Sequence, residues 1–380
     1  MAKTFTPAII ILLFAILTGL NSLARQDGID IYRTPSGVSY RVEVVAEGLC
    51  MPWSICFLPN GRILVSERAG SLRLIENGKL RPEPIAVPDE ISPFGEAGLM
   101  GIAIDPKFAD NHFVYLCYSY SPAKDKYLTR VSRFKEQNNQ LSDRKIVFDG
   151  IPVDKIHDGG RIRFGPDGKL YITTGDIGKK ELAQDLKSLA GKILRINSDG
   201  TIPADNPFKD SPIYSYGNRN PQGIDWHPIT GKLFATEHGP SEFDAPHGGD
   251  EVNIIEPGKN YGWPVIHHRM RKEGMITPLL EYTPAIAPSG ASFYRGNAFP
   301  EFRNNYFFAN LAGKHIRRVI FDSKEPHKVV GEERLADGKF GRLRDVVEGP
   351  DGALYFSSNS NWGDEEKRQN KIFRIVPAKR

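Results

Sequence analysis

One motif returns along the chain and limits what it can become: a proline, a turn dipeptide containing glycine, then a strand of alternating apolar residues. The clear copies are FLPNGRILVSERAGSLRLIENG (57–78), FGPDGKLYITTGD from Phe164, HPITGKLFATEHG from His227 and EGPDGALYFSSNS from Glu348. Two degenerate copies fill the gaps, DPKFADNHFVYLCYSY from Asp105 and FPEFRNNYFFANLAG from Phe299. Their prolines (Pro59, Pro106, Pro166, Pro228, Pro300 and Pro350) recur at a mean spacing of about 58 residues. A unit of this length reads strand, turn, strand and cannot bury its own faces, so the copies must stack. With almost no stretch of helical period, the six copies predict an all-β fold: a six-bladed β-propeller of four-stranded antiparallel blades. A two-sheet sandwich or an irregular β-solenoid is the alternative. One helical turn is expected at Glu181–Leu189, in an insertion. The strand near Tyr40–Val45 is expected to pair with the last blade and close the ring.

The chain has 380 residues, 40% hydrophobic and 25% charged, which excludes a disordered, collagenous or disulfide-knot protein. Fifty Lys+Arg against 46 Asp+Glu give a net charge of +4, so no nucleic-acid partner is expected. At the N-terminus, Met1–Pro7 carries one lysine and Ala8–Leu20 is a 13-residue apolar run, too short to span a bilayer comfortably. With Ser22-Leu23-Ala24 as a small-x-small cleavage pattern, residues 1–24 read as a signal peptide. Residues 27–380 then form one exported domain, periplasmic or secreted, with no stable membrane insertion. An uncleaved anchor is the alternative. Cys50, Cys56 and Cys117 are odd in number and lack C-x-x-C spacing, so buried thiols are expected, with a Cys50–Cys56 bridge as the alternative.

A propeller gathers its loops over one axial pocket, so polar residues in those loops are the candidates for chemistry. His157 precedes Gly159-Gly160, and Asp176 ends the strand that follows. A histidine backed by a carboxylate is a general-base arrangement, although a solvated turn residue explains a lone histidine equally simply. Arg219 and Asn220 in GNRNPQG offer a planar cation and an amide suited to a carboxylate or quinone, unless the arginine only braces a blade. Acidic residues beside glycine and proline carbonyls in EHGP (237–240) and GGDEVN (248–253) are hard oxygen donors suited to calcium. Arg342 and Arg344, two apart in a strand, point to one face, and such a pair is costly unless an anion is expected there.

In this order the residues resemble the glucose/sorbosone dehydrogenase family, exported aldose dehydrogenases that use pyrroloquinoline quinone (PQQ). The resemblance rests on GEAGLMG, HDGGR…GPDGKLYITTGD, GNRNPQG, EHGP…GGDEVN…NYGWP and RLRDVVEGPDG, and runs from about Val42 to Val376. It implies that His157 is the catalytic base and Asp176 the acid that orients it. Glu96, Arg219, Asn220, Arg342 and Arg344 fall at PQQ-contacting positions. The resemblance assigns the Gly239 and Pro240 carbonyls to a PQQ-bound Ca2+, and Glu251 with the Tyr261 carbonyl to an additional calcium site. The implied reaction oxidises an aldose at its anomeric carbon to the lactone and passes electrons to an external acceptor. Three departures stand out. Glu96 replaces a glutamine and would repel the cofactor's anion unless protonated or paired. Ala312 replaces a lysine, for which Lys314, two residues on, is the expected substitute. Ser241–His247 (SEFDAPH) is additional. The rival functions are a non-catalytic carbohydrate- or protein-binding propeller and a calcium-dependent sugar-lactone hydrolase.

Overall fold

The structure, a computed structural model, describes residues 24–26, 29–361 and 367–378. Apart from Ala24, the expected signal peptide lies outside these residues. Five antiparallel four-stranded sheets and a sixth, extended one form the six blades of a propeller. In chain order the first strands are Pro52–Phe57, Leu99–Ile104, Ile162–Phe164, Pro221–Trp226, Pro288–Phe293 and Arg342–Glu348. Around the axis each lies against the first strand of the next blade, except that blade 3 meets blade 4 through its second strand, Leu170–Thr174. Each of the six repeat prolines falls between the first and second strands of its blade, so all mark the same end of the ring.

The ring closes as expected. Ser39–Leu49 pairs antiparallel with Asn370–Pro377, from Tyr40 opposite Pro377 to Leu49 opposite Asn370. Two strands that the repeat does not reveal, Ala24–Gln26 and Ile29–Arg33, widen that sheet to six.

The first strands of blades 4 and 5 are buried at every residue, because a blade packs on each face. Close approach there demands glycine: a Cβ on Gly223 would stand 2.7 Å from the Ala291 nitrogen of the next blade. The core is divided accordingly. Six apolar clusters lie one at each junction between neighbouring blades, for example Leu64, Leu74, Leu99 and Leu116 between blades 1 and 2. Each such buried leucine contributes about 1.5–3 kcal/mol, so the ring is stabilised junction by junction. No disulfide joins Cys50 to Cys56, and Cys117 is a buried thiol whose pKa burial raises to about 12.

The expected helical turn shrinks to a four-residue 3-10 turn, Lys180–Ala183, in the loop between the second and third strands of blade 3. The reason lies in Lys192. This fully buried lysine points its ammonium at the carbonyls of Leu182, Ala183 and Ala190, 2.8, 3.1 and 2.6 Å away, and Ala183 O also accepts the Gly217 N–H at 2.9 Å, so carbonyls of this stretch bond outside a helix. Burial pushes the ammonium pKa down to about 7, and the charge of Asp185 works against that shift. Lys192→Met should therefore cost about 1–3 kcal/mol at pH 6, from the Ala190 carbonyl left without a donor, since the Leu182 and Ala183 carbonyls keep the Asp185 and Gly217 N–H groups. Thermal unfolding checks this, and an unchanged Tm would mean that water replaces the ammonium at no cost.

Candidate active site

His157, Asp176, Arg219, Asn220, Arg342 and Arg344 all fall at the end of the ring opposite the repeat prolines. They sit where chain enters a first strand or leaves a second one. Glu96, Gly239 and Pro240 lie in loops of the same end, and Glu251 is in the third strand of blade 4. Tyr261 departs from this pattern, lying between the third and fourth strands of blade 4.

His157 and Asp176 meet. The His157 Nδ1 lies 2.7 Å from Asp176 Oδ1, with the two residues 6% and 1% exposed. Asp176 is itself fixed, since its Oδ1 accepts the Gly178 N–H at 2.8 Å and its Oδ2 the Trp263 indole N–H at 2.7 Å. A carboxylate at Nδ1 selects the tautomer protonated there and leaves Nε2 as the basic nitrogen. The His157 backbone is left-handed, φ +61°, which costs an ordinary residue about 1–2 kcal/mol. Its N–H is held in that turn by Glu96 Oε2 at 2.8 Å. Glu96 is thus paired, and its charge also favours the charged form of Arg344.

Beside this pair opens an axial cavity with walls from five of the six blades, among them Trp53, Glu96, Gln222, His238, Leu311 and Arg342 with Arg344. The two arginines do share one space. Burial, then the charge of Arg161, pushes the Arg344 guanidinium down to about 9, and Arg68 and Arg342 add to the repulsion. The Nε atoms of Arg342 and Arg344, the Asn220 Nδ2 and the His238 Nε2 are buried without a protein partner. Burial, then Arg344 and Arg219, holds the His238 imidazole well below the usual histidine range, so it is neutral near pH 7. Unsatisfied buried donors carry a cost that an anionic, carbonyl-bearing ligand would remove. The donor set fits a flat polycarboxylate such as PQQ.

Other candidates are placed differently. Arg219 faces the additional segment, not the cavity. Its Nε pairs with Asp244 Oδ2 at 2.8 Å, while Nη2 reaches Ser241 Oγ at 3.2 Å and Nη1 the His238 carbonyl at 3.3 Å. Two of the three residues that capture it, Ser241 and Asp244, belong to the insert, so the motif GNRNPQG alone does not show it. Asn220 Oδ1 accepts from the Gly159 N–H and from Gln222 Nε2, tying the His157 loop to the cavity wall. Lys314 does not substitute at position 312. It occupies a left-handed turn, φ +54°, exposed to solvent ahead of the strand Ile316–Phe321, so the same-face argument does not apply, and Leu311 reaches the cavity instead.

Among the described residues, no group of three or more His, Cys, Asp or Glu side chains is placed to hold a metal. Calcium would therefore depend on backbone oxygens. The Gly239 N–H is anchored to Asp250 Oδ1 at 2.8 Å, and the Pro240 carbonyl accepts the Gly248 N–H at 3.3 Å. Glu237, Glu251 and Glu281 stand opposite one another on three adjacent strands. Burial, then the charge of Glu237, raises the Glu251 carboxyl well above its usual range, and burial raises Glu237 to about 7. A nearby cation would relieve that crowding, but the three carboxylates do not converge as a metal cage, so calcium still rests on the backbone carbonyls.

The sequence reading passed over Trp263, His238 and Phe243. NYGWP showed an aromatic residue but not that its indole N–H ends on Asp176. His238 lay unremarked between Glu237 and Gly239.

The family profile described as Glucose / Sorbosone dehydrogenase matches residues 49–367. The aldose sugar dehydrogenase YliI of Escherichia coli is 34% identical over 88% of this chain and 93% of its own. Quinoprotein glucose dehydrogenase B of Acinetobacter calcoaceticus is 32% identical over 66% of this chain and 59% of its own. The PQQ-bound aldose sugar dehydrogenase of Streptomyces coelicolor superposes with a TM-score of 0.78 at 34% identity, covering 89% of this chain and 98% of that one. A profile match spanning nearly the whole propeller, with relatives that share its fold and a third of its residues, makes this chain a member of the glucose/sorbosone dehydrogenase family.

Proposed function

We propose that the protein is a PQQ- and calcium-dependent aldose dehydrogenase that oxidises the anomeric carbon to the lactone and passes the electrons to an external acceptor. The observation that carries this reading is a fixed His157–Asp176 pair beside a cavity in which the buried Nε donors of Arg342 and Arg344 have no protein partner. His157 Nε2 takes the anomeric hydroxyl proton, while Asp176 and Trp263 hold the ring and stabilise the imidazolium. Arg342 and Arg344 bind the anionic groups of the cofactor and favour negative charge developing there. When bound, PQQ supplies the two-electron acceptor for the hydride leaving the anomeric carbon. The Gly239 and Pro240 carbonyls would hold calcium against it, with Glu251 and the Tyr261 carbonyl at a further site.

Reconstitution tests this. Apo-protein given PQQ and calcium should gain a quinone absorbance that bleaches when an aldose is added. Absorbance without bleaching, for every aldose tried, would sink the reading. Chelation is a separate test: EDTA should abolish activity and lower Tm, and calcium should restore both. Full activity after exhaustive chelation would reject the calcium role.

The lactone hydrolase would leave the buried pair of Arg342 and Arg344 without a role. A binding module would leave the His157–Asp176 pair without work. The apolar run of Ala8–Leu20 supports export to the periplasm or beyond. A mature N-terminus close to Ala24 in the exported fraction is the expected result.

A further inference from the structure

The additional segment Ser241–His247 is built as a rigid strut. Asp244 pairs with Arg219, their side chains 8% and 3% exposed, and Asp244 Oδ1 also accepts the Ser241 N–H at 2.8 Å. Lys180, from the neighbouring blade, donates to the Asp244 carbonyl at 3.3 Å. A buried ion pair resists loss of either partner, so the segment is firmly held. Next to Asp244 it carries Phe243, which is 65% exposed. The Phe243 ring centroid lies 6.1 Å from that of the His157 imidazole with the planes 23° apart, and 6.0 Å from the Arg219 guanidinium carbon. A large apolar ring is thus held in water beside the basic nitrogen's ring. A molecule that gives His157 its hydroxyl proton must lie near that ring, and a pyranose has an apolar C–H face to place on it.

We propose that Phe243 is the platform on which the aldose ring stacks, with Arg219 and Asp244 as the positioning residues that hold it. The proposal rests on the dehydrogenase reading. It is tested with 1-deoxyglucose, which lacks the anomeric hydroxyl and so cannot be oxidised there, titrated calorimetrically into PQQ- and calcium-loaded protein. Phe243→Ala should weaken its binding about 3–10-fold, the scale of one stacked aromatic contact. Phe243→Tyr should restore it. Asp244→Asn should weaken it as well, by releasing the strut. PQQ affinity, read by absorbance titration, should stay at the wild-type value in all three. With aldoses, KM should rise in Phe243→Ala by more than kcat falls.

Unchanged 1-deoxyglucose affinity in Phe243→Ala would overturn the proposal. So would a loss of PQQ affinity instead, which would place the ring on the cofactor. Tighter PQQ binding in Asp244→Asn would also overturn it, because Asp244 would then be competing with the cofactor for Arg219. If the wild type oxidises no aldose, the dehydrogenase reading fails and the platform fails with it. If it does oxidise aldoses and the variants bind 1-deoxyglucose normally, only the platform fails.

Discussion

His157→Ala should lower turnover about 10²–10⁴-fold, the usual contribution of a positioned general base, while PQQ still binds and the protein still folds. The structure supports both halves. Glu96 holds the backbone N–H of residue 157, not the ring, so the turn keeps its anchor. Alanine bears the left-handed φ of +61° about as poorly as histidine, so strain changes little. Asp176 loses one donor but keeps the Trp263 indole and the Gly178 amide. His157 does not line the cavity where Arg342 and Arg344 await an anion, so cofactor affinity should hold. A companion variant, Asp176→Asn, separates base from orienter. An amide no longer selects the Nδ1-protonated imidazole, so kcat should fall without loss of PQQ. Wild-type turnover in His157→Ala would remove His157 as the base.

The fold was legible because it is written as a repeat. Each copy fixes the turn between a blade's first two strands, and Pro59 through Pro350 mark all six. That places every loop of the opposite end without knowledge of a single long-range contact. Register helped in the same way: Arg342 and Arg344 could be assigned to one face from strand periodicity, and they line one cavity. What stayed hidden depends on side chains that no period governs. The partner of Arg219 is Asp244, 25 residues on, inside a segment with no counterpart in the repeat. Trp263 reaches Asp176 across 87 residues. Lys314 failed for a local reason, since two-residue spacing means one face only within a strand, and it stands in a turn. The strands Ala24–Gln26 and Ile29–Arg33 lie outside the repeat and carry none of its punctuation.

Arg344 gives the second large effect, and its sign on stability is the informative part. In the ligand-free protein this side chain is buried among Arg161, Arg68 and Arg342, with Glu96 as the opposing charge. Its Nη1 reaches Ser289 Oγ only at 3.4 Å, its Nε has no protein partner, and its guanidinium carbon lies 4.8 Å from the Trp53 ring centroid. Packing against Trp53 favours keeping the side chain, and the charge opposes it. Arg344→Met keeps a stem against the indole and removes the charge, so the apo-protein should melt no lower than wild type and somewhat higher at low salt. PQQ affinity should fall by one charge-assisted hydrogen bond, about 1.5–3 kcal/mol or roughly 10–150-fold. A residue that merely braced two blades would show the reverse, a lower Tm with affinity intact. The two measurements move in opposite directions under the two roles, so neither a damaged fold nor a weak assay can mimic the expected result. Lower apo stability together with wild-type PQQ affinity would place the cofactor elsewhere and leave the axial cavity to a different ligand.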